Sequence, residues 1–314
     1  RSRSEIMHRF KKILVGVDLS SGDHLVSEEV SPASLEAVNR AIWLARSNSA
    51  ELTFFFALDV GAETQRMIEE SNERESIVAT AKEKLNGLVS RAKESGIKAD
   101  SDVCFGRSWR QIILKVVQDG YDIVIAGTRH LGPFKTILLG STGMKLLRQC
   151  PSPVWITQPQ ADSQIKSILV AHCLRPVGDL AMELGAAMAE LHGSELHVIH
   201  SQEHSEFESW HSIYQDNESN QKTPLEVKRH IESQISNYQF KTHPQIHIVT
   251  STPPDIAALN LIENHNIELL VMGTVARTGI TGLIIGNTAE KLLPQISCSV
   301  LAVKPADFVS PVTI

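Results

Sequence analysis

What this chain lacks narrows it first. No apolar run approaches the roughly 20 residues needed to cross a bilayer as a helix. The opening Arg1-Ser2-Arg3-Ser4 has no apolar core behind it, unlike a secretory leader, and residues before Phe10 read as an arm outside the fold. Cysteine is scarce, four in 314 residues, and no Cys-x2-Cys spacing occurs. That points away from a disulfide scaffold and towards reduced thiols in a cytoplasmic setting. Positive charge is not in excess: the formal net charge is -6, which argues against nucleic acid as a partner. Aromatics are only 5% of the chain, and Trp109, Trp155 and Trp210 read as packing rather than base-stacking platforms. Gly-x-Ser-x-Gly and His-Glu-x-x-His are absent, and no Gly-Lys-Ser/Thr completes a P-loop. Ser108 and Ser141 have no His/Asp order around them that resembles a triad. Glu28-Glu29, Glu69-Glu70 and Asp100/Asp102 read as solvated faces rather than acid/base pairs. No catalytic residue is expected.

What is present is a duplication. Ile123 to Leu147 and Leu269 to Leu293 each run from an apolar segment through a glycine and a loop to a short helical pattern. Gly127 maps onto Gly273 and Gly140 onto Gly286 at one common offset of 146 residues. Strand, glycine loop and helix start together present free backbone N–H groups and the positive end of a helix dipole, a junction suited to an anion. With 42% apolar and 21% charged residues, each half can bury a core of its own.

The order of elements supports this. Lys12–Asp18, Glu51–Leu58, Ile97–Phe105, Asp122–Ala126 and Ser152–Thr157 read as strands, separated by helical patterns beginning at Ser31-Pro32, around Ile77, at Ser108 and at Thr142. Ser167–His172, Glu195–His200, Gln245–Thr250, Glu268–Met272 and Cys298–Val303 repeat the strand series. Helices over Val177–Leu191, Pro224–Asn237 and Asp255–Asn264 fall between them, and Ser201–Lys222 reads as an irregular lid. Strands alternating with helices predict an α/β fold: two tandem doubly wound five-stranded parallel-sheet domains, 10–158 and 165–305, joined by a linker at 159–164. The two fifth strands are apolar and begin after a Pro or a Cys, as edge strands do. They are expected to pair with each other, making an intramolecular pseudo-dimer.

These motifs resemble the universal stress protein family. The resemblance rests on the N-terminal Ile-Leu-Val-x-x-Asp strand, the late glycine loops, Gly-Asn-Thr-Ala-Glu-Lys at Gly286–Lys291 and the ending Val-Lys-Pro-Ala-Asp-Phe-Val-Ser-Pro-Val. It covers nearly all of both halves and is similar to the tandem E type of that family. It implies a stress-response role in the cytoplasm and, in some members, ATP binding, with the strand-one Asp at the adenosine end and the glycine loop at the phosphates. In the first half the matching positions are Asp18, Gly127, Gly140, Ser141 and Thr142, with His130 where a second loop glycine would be. In the second half Gly273, Gly279, Gly286 and Thr288 remain. There Cys173 replaces the Asp, Ala276 the loop glycine and Asn287 the Ser.

The expectation is a small-molecule or nucleotide binding module: at most one weakly bound ATP with Mg, in the first half. A slow ATPase is one alternative. A scaffold holding an apolar ligand near Ile280 and Leu283–Ile285 is another, and retention of both loops purely for packing is the plainest. Expected partners are a small-molecule ligand and, at most, a second copy in a homodimer of tandem chains, with neither nucleic acid nor a membrane. Histidines crowd the second half at His172, His192, His197, His200, His204 and His211. Cys173, His200 and His204 could close a tetrahedral site, but no local ligand spacing supports one, and no metal is expected.

Overall fold

A computed structural model describes residues 9–20, 25–27, 29–128, 139–160, 164–202, 223–274 and 285–313. His130, His204, Trp210, His211, Ala276, Gly279, Ile280, Leu283, Ile284 and the lid reading at 203–222 lie outside those residues. The described chain divides into two units. The first holds everything through Gln160 and resumes at Ser299, and the second holds Gln164–Thr274 and Ile285–Cys298.

In the first unit, strands β1 (Lys12–Gly16), β2 (Glu51–Leu58), β3 (Ala99–Phe105), β4 (Ile123–Gly127) and β5 (Val154–Thr157) form a parallel sheet in the order β3-β2-β1-β4-β5. Its centre is apolar on both faces, as a sheet covered by helices on both sides requires. Ile13, Leu14, Val15, Phe54, Phe56, Ile123, Val124 and Ile125 are all buried. β3 lies at the edge and is only partly covered, which explains its alternating acidic residues. The covering helices are α1 (Pro32–Asn48), α2 (Ala62–Glu70), α3 (Arg74–Glu94), α4 (Ser108–Asp119) and α5 (Ser141–Gln149). Helix α2 has no counterpart in the sequence reading, because within it only Met67 and Ile68 are large apolar residues and only Ile68 is buried.

The last strand, β10 (Ser299–Val303), belongs to this first unit. It pairs antiparallel with β5, Val300 opposite Ile156, Leu301 opposite Trp155 and Ala302 opposite Val154. The two apolar edge strands therefore pair as their sequences predict. Just beyond β10, Lys304 is buried and its Nζ donates to the Leu147 carbonyl in the last turn of α5. Burial pushes that ammonium down to about 8. A cation at a helix C-terminus opposes the negative end of its dipole. A buried ion pair, Glu36 with Arg40 at 2.6 Å, lies on α1, and Arg40 Nη2 also donates to Gln160 Oε1 at 2.8 Å.

The second unit repeats the pattern with β6 (Ser167–Ala171), β7 (Glu195–Gln202), β8 (Gln245–Thr250) and β9 (Leu269–Gly273), parallel in the order β9-β6-β7-β8. Helices α6 (Pro176–His192), α7 (Pro224–Ile235), α8 (Pro254–Asn264) and α9 (Asn287–Leu292) connect and cover them. Helix α7 starts with a capping box: Glu226 N donates to Thr223 Oγ1, and Thr223 N to Glu226 Oε2. Satisfying two otherwise orphaned donors fixes where the helix begins after the undescribed segment.

Candidate functional site

Each unit reverses direction between its first and fourth strands, β1/β4 in one and β6/β9 in the other. In open α/β sheets the crevice outside the carboxyl ends at such a switch point is where ligands settle. The residues singled out by sequence fall there. Asp18 follows β1, Gly127 ends β4, and Gly140, Ser141 and Thr142 open α5. Gly273 ends β9, and Gly286, Asn287 and Thr288 open α9. His130 and Gly279 lie outside the described residues.

In the first unit, Asp18 is held by its own loop. Its Oδ1 accepts from Ser20 N at 2.9 Å, and its backbone N donates to Ser34 Oγ at 3.1 Å. Ser31 caps α1 by accepting from Ser34 N at 3.2 Å. The start of α1 is thereby tied to the Asp18 loop and pressed onto the end of β4. A Cβ on Gly127 would lie 2.3 Å from the Ala33 carbonyl oxygen, so only glycine permits this approach. Gly273 plays the same part in the second unit, where a Cβ would meet Val177 Cγ2 at 2.8 Å. The glycine shared by both halves is thus explained by helix packing without any ligand.

The units differ in what surrounds these glycines. In the first, neither α1 nor α5 has an acidic residue in its first turn, and α5 has no side-chain cap. The hydroxyl of Thr128, directly after β4, is buried and has no hydrogen-bond partner among the described residues. In the second, both helix starts already carry a carboxylate: Asp179 on α6 and Glu290 on α9. Asp179 Oδ1 is 3.3 Å from His172 Nε2 and 4.0 Å from His230 Nε2, and it accepts from Gln234 Nε2 at 2.6 Å. The Asp179 carboxylate is therefore engaged by side chains of its own unit. Cys173, at the Asp18 position, is exposed. His200 Nδ1 lies 2.8 Å from the His172 carbonyl, and His204, the third member of the grouping weighed with Cys173 and His200, lies outside the described residues. Burial pushes His172 down to about 4 against the opposing pull of Asp179, and lowers His200 as well. Ile285 is buried, and the other three apolar residues proposed beside it are not described.

A family model described as the universal stress protein family matches residues 9–158 and again 164–304. The chain belongs to the universal stress protein family. Universal stress protein E of Escherichia coli strain K12 is 23% identical over 328 residues, covering 98% of each chain. The protein of that name from Photorhabdus laumondii is 21% identical over 320 residues, again with 98% of each covered. Among solved structures, a universal stress protein from Pseudomonas aeruginosa UCBPP-PA14 superposes with a TM-score of 0.67 at 23% identity, covering 96% of this chain and 95% of its own. One from Archaeoglobus fulgidus gives 0.63 at 21%, covering 93% and 98%. At such identities these structures support the fold alone. Among the described residues, no helix is long and apolar enough to cross a membrane.

Proposed function

We propose that this universal stress protein is a nucleotide-binding module, with one ATP-class site in its first half and none in its second. The observation carrying this reading is the contrast between helix starts. At the β1/β4 switch point, two helix N-termini meet the crevice without a first-turn carboxylate, whereas both corresponding starts in the second half carry one. An N-terminus without a carboxylate retains its attraction for an anion. One with a carboxylate already satisfies that field and repels phosphate.

In this reading Asp18 contacts the ribose or adenine end. Gly140, Ser141 and Thr142 offer backbone N–H groups and two hydroxyls to phosphate oxygens, and the unpartnered Thr128 hydroxyl adds a buried donor. Mg would accompany the phosphates. The role in this reading is that of a ligand-responsive stress protein in the cytoplasm rather than an efficient enzyme. Incubation with Mg-ATP, with separate measurement of bound nucleotide and released ADP, tests this. Binding without turnover is the expected result. Stoichiometric ADP release that depends on Ser141 or Thr142 would favour a slow ATPase instead.

A further inference from the structure

Far from the switch point, His197, His247 and His265 converge from three elements of the second unit. His197 is the third residue of β7, His247 the third of β8, and His265 caps the end of α8. In the parallel register His197 faces Gln245 and Ile199 faces His247, so His197 and His247 point to the same face of the sheet. Their position near the amino ends of β7 and β8 separates them from the carboxyl-end crevice. We propose that these three histidines form a binding site for a divalent transition-metal ion of the zinc class, with a fourth coordination position left for water or a ligand.

The geometry carries this. One ring nitrogen from each of the three histidines lies within 4.8 Å of the others. His197 Nδ1 and His247 Nε2 are 3.3 Å apart. Two nitrogens bound tetrahedrally to zinc at about 2.0–2.1 Å each are separated by about 3.3–3.4 Å. Ring centroids lie 4.5 Å apart for His197 and His265, and 5.7 Å for His247 and His265. His197 is completely buried, and its Nε2 has no hydrogen-bond partner among the described residues. With His197 Nδ1 on the metal, that Nε2 carries the proton, and Glu195 Oε2 lies 4.0 Å away. That carboxylate is on the side of the second ring nitrogen but beyond direct hydrogen-bond distance. Burial and the two neighbouring imidazoles hold His197 down at about 4, and burial lowers His247. Imidazole suits zinc, copper and nickel over magnesium or calcium.

Among the described residues a second grouping of ligand-type side chains, His172 with Asp179 and His230, differs in one decisive respect. Leu174 N donates to His172 Nδ1 at 3.2 Å. A neutral His172 therefore carries its proton on Nε2, facing Asp179, where a metal would need a lone pair. That trio is a histidine–carboxylate contact and serves as an internal control.

The test is cobalt titration of the untagged, chelator-stripped full chain, followed through the visible absorption of tetrahedral Co(II). A single ion per chain is expected, displaced by zinc. The absorption should vanish in His265→Ala and His247→Gln, both confirmed folded by circular dichroism, and persist in His230→Ala. Absence of tetrahedral cobalt in the folded wild type would overturn the proposal. So would binding that survives both His265→Ala and His247→Gln, or that disappears only in His230→Ala.

Discussion

The two corners that follow the first strand of each repeat hold equivalent places in their units and differ in chemistry. One has Asp18, a serine-capped helix start and no first-turn carboxylate. The other has Cys173, a buried His172 and an Asp179 that turns inward to histidine and glutamine. Yet each retains the glycine that lets the following helix meet the end of its fourth strand. Packing conserves that glycine even where the surrounding chemistry has changed. The glycine alone is therefore a signature of the fold, and the charges around it are what differ between the two halves.

The largest test of this comparison is to add a methyl group at each glycine. Gly127→Ala drives a Cβ into the backbone carbonyl of Ala33, which cannot rotate away. Overpacking of this kind costs about 3 kcal/mol or more. Gly273→Ala meets the Val177 side chain at 2.8 Å, a less severe approach than the 2.3 Å to a backbone oxygen, and should cost about 1–2 kcal/mol. Urea unfolding of the two variants measures both, and equal losses would remove the distinction between a backbone and a side-chain contact.

Acid should separate the halves next. No histidine lies among the described residues of the first unit, whereas burial holds His172 and His197 of the second down to about 4. Their ordinary value is about 6.5. The unfolded chain therefore takes up protons below about pH 6.5 that the folded unit refuses until about pH 4, and stability falls across that window as pH drops. The loss at pH 5 is on the order of 1–2 kcal/mol per histidine. In chelator-treated protein, hydrogen exchange at β6 and β7 should accelerate between pH 7 and 5 after correction for intrinsic rates, while β1 and β2 change little. Equal acceleration in both units would contradict this.

The smallest expected effect concerns thiols. Burial pushes Cys150 and Cys298 up to about 12 and Cys104 up to about 11, leaving Cys173 as the exposed cysteine. Native protein should take up maleimide first at Cys173, with no measurable change in melting temperature. Faster labelling of Cys104, read by peptide mass, would contradict the exposed corner described for the second half.

Much of the architecture was legible in the sequence because buried parallel strands leave short, nearly unbroken apolar runs such as Ile13–Val15 and Leu269–Met272. Pairing of the two last strands was legible for the same reason. Helix α2 was not, since a helix with one buried residue leaves almost no periodic trace. The glycines were found, but their packing role appears only once Ala33 and Val177 are seen against them. The triad His197, His247 and His265 was not legible because its members come from three separate elements with no local ligand spacing. The available signal was a histidine at the third position of each of two neighbouring strands, which parallel register brings onto one face. What distinguishes the two switch points, the first-turn carboxylates Asp179 and Glu290, stood in the sequence as ordinary helix-start residues.

The central claim, that nucleotide binds in the first half alone, is tested most directly by calorimetric titration of Mg-ATP into the wild type, Asp18→Ala and Cys173→Ala. One weak site per chain is predicted. Removing its polar anchor should weaken binding by roughly tenfold to a hundredfold in Asp18→Ala, whereas Cys173→Ala should leave it unchanged. Two equivalent sites, or one site that survives Asp18→Ala at full affinity, would contradict the account.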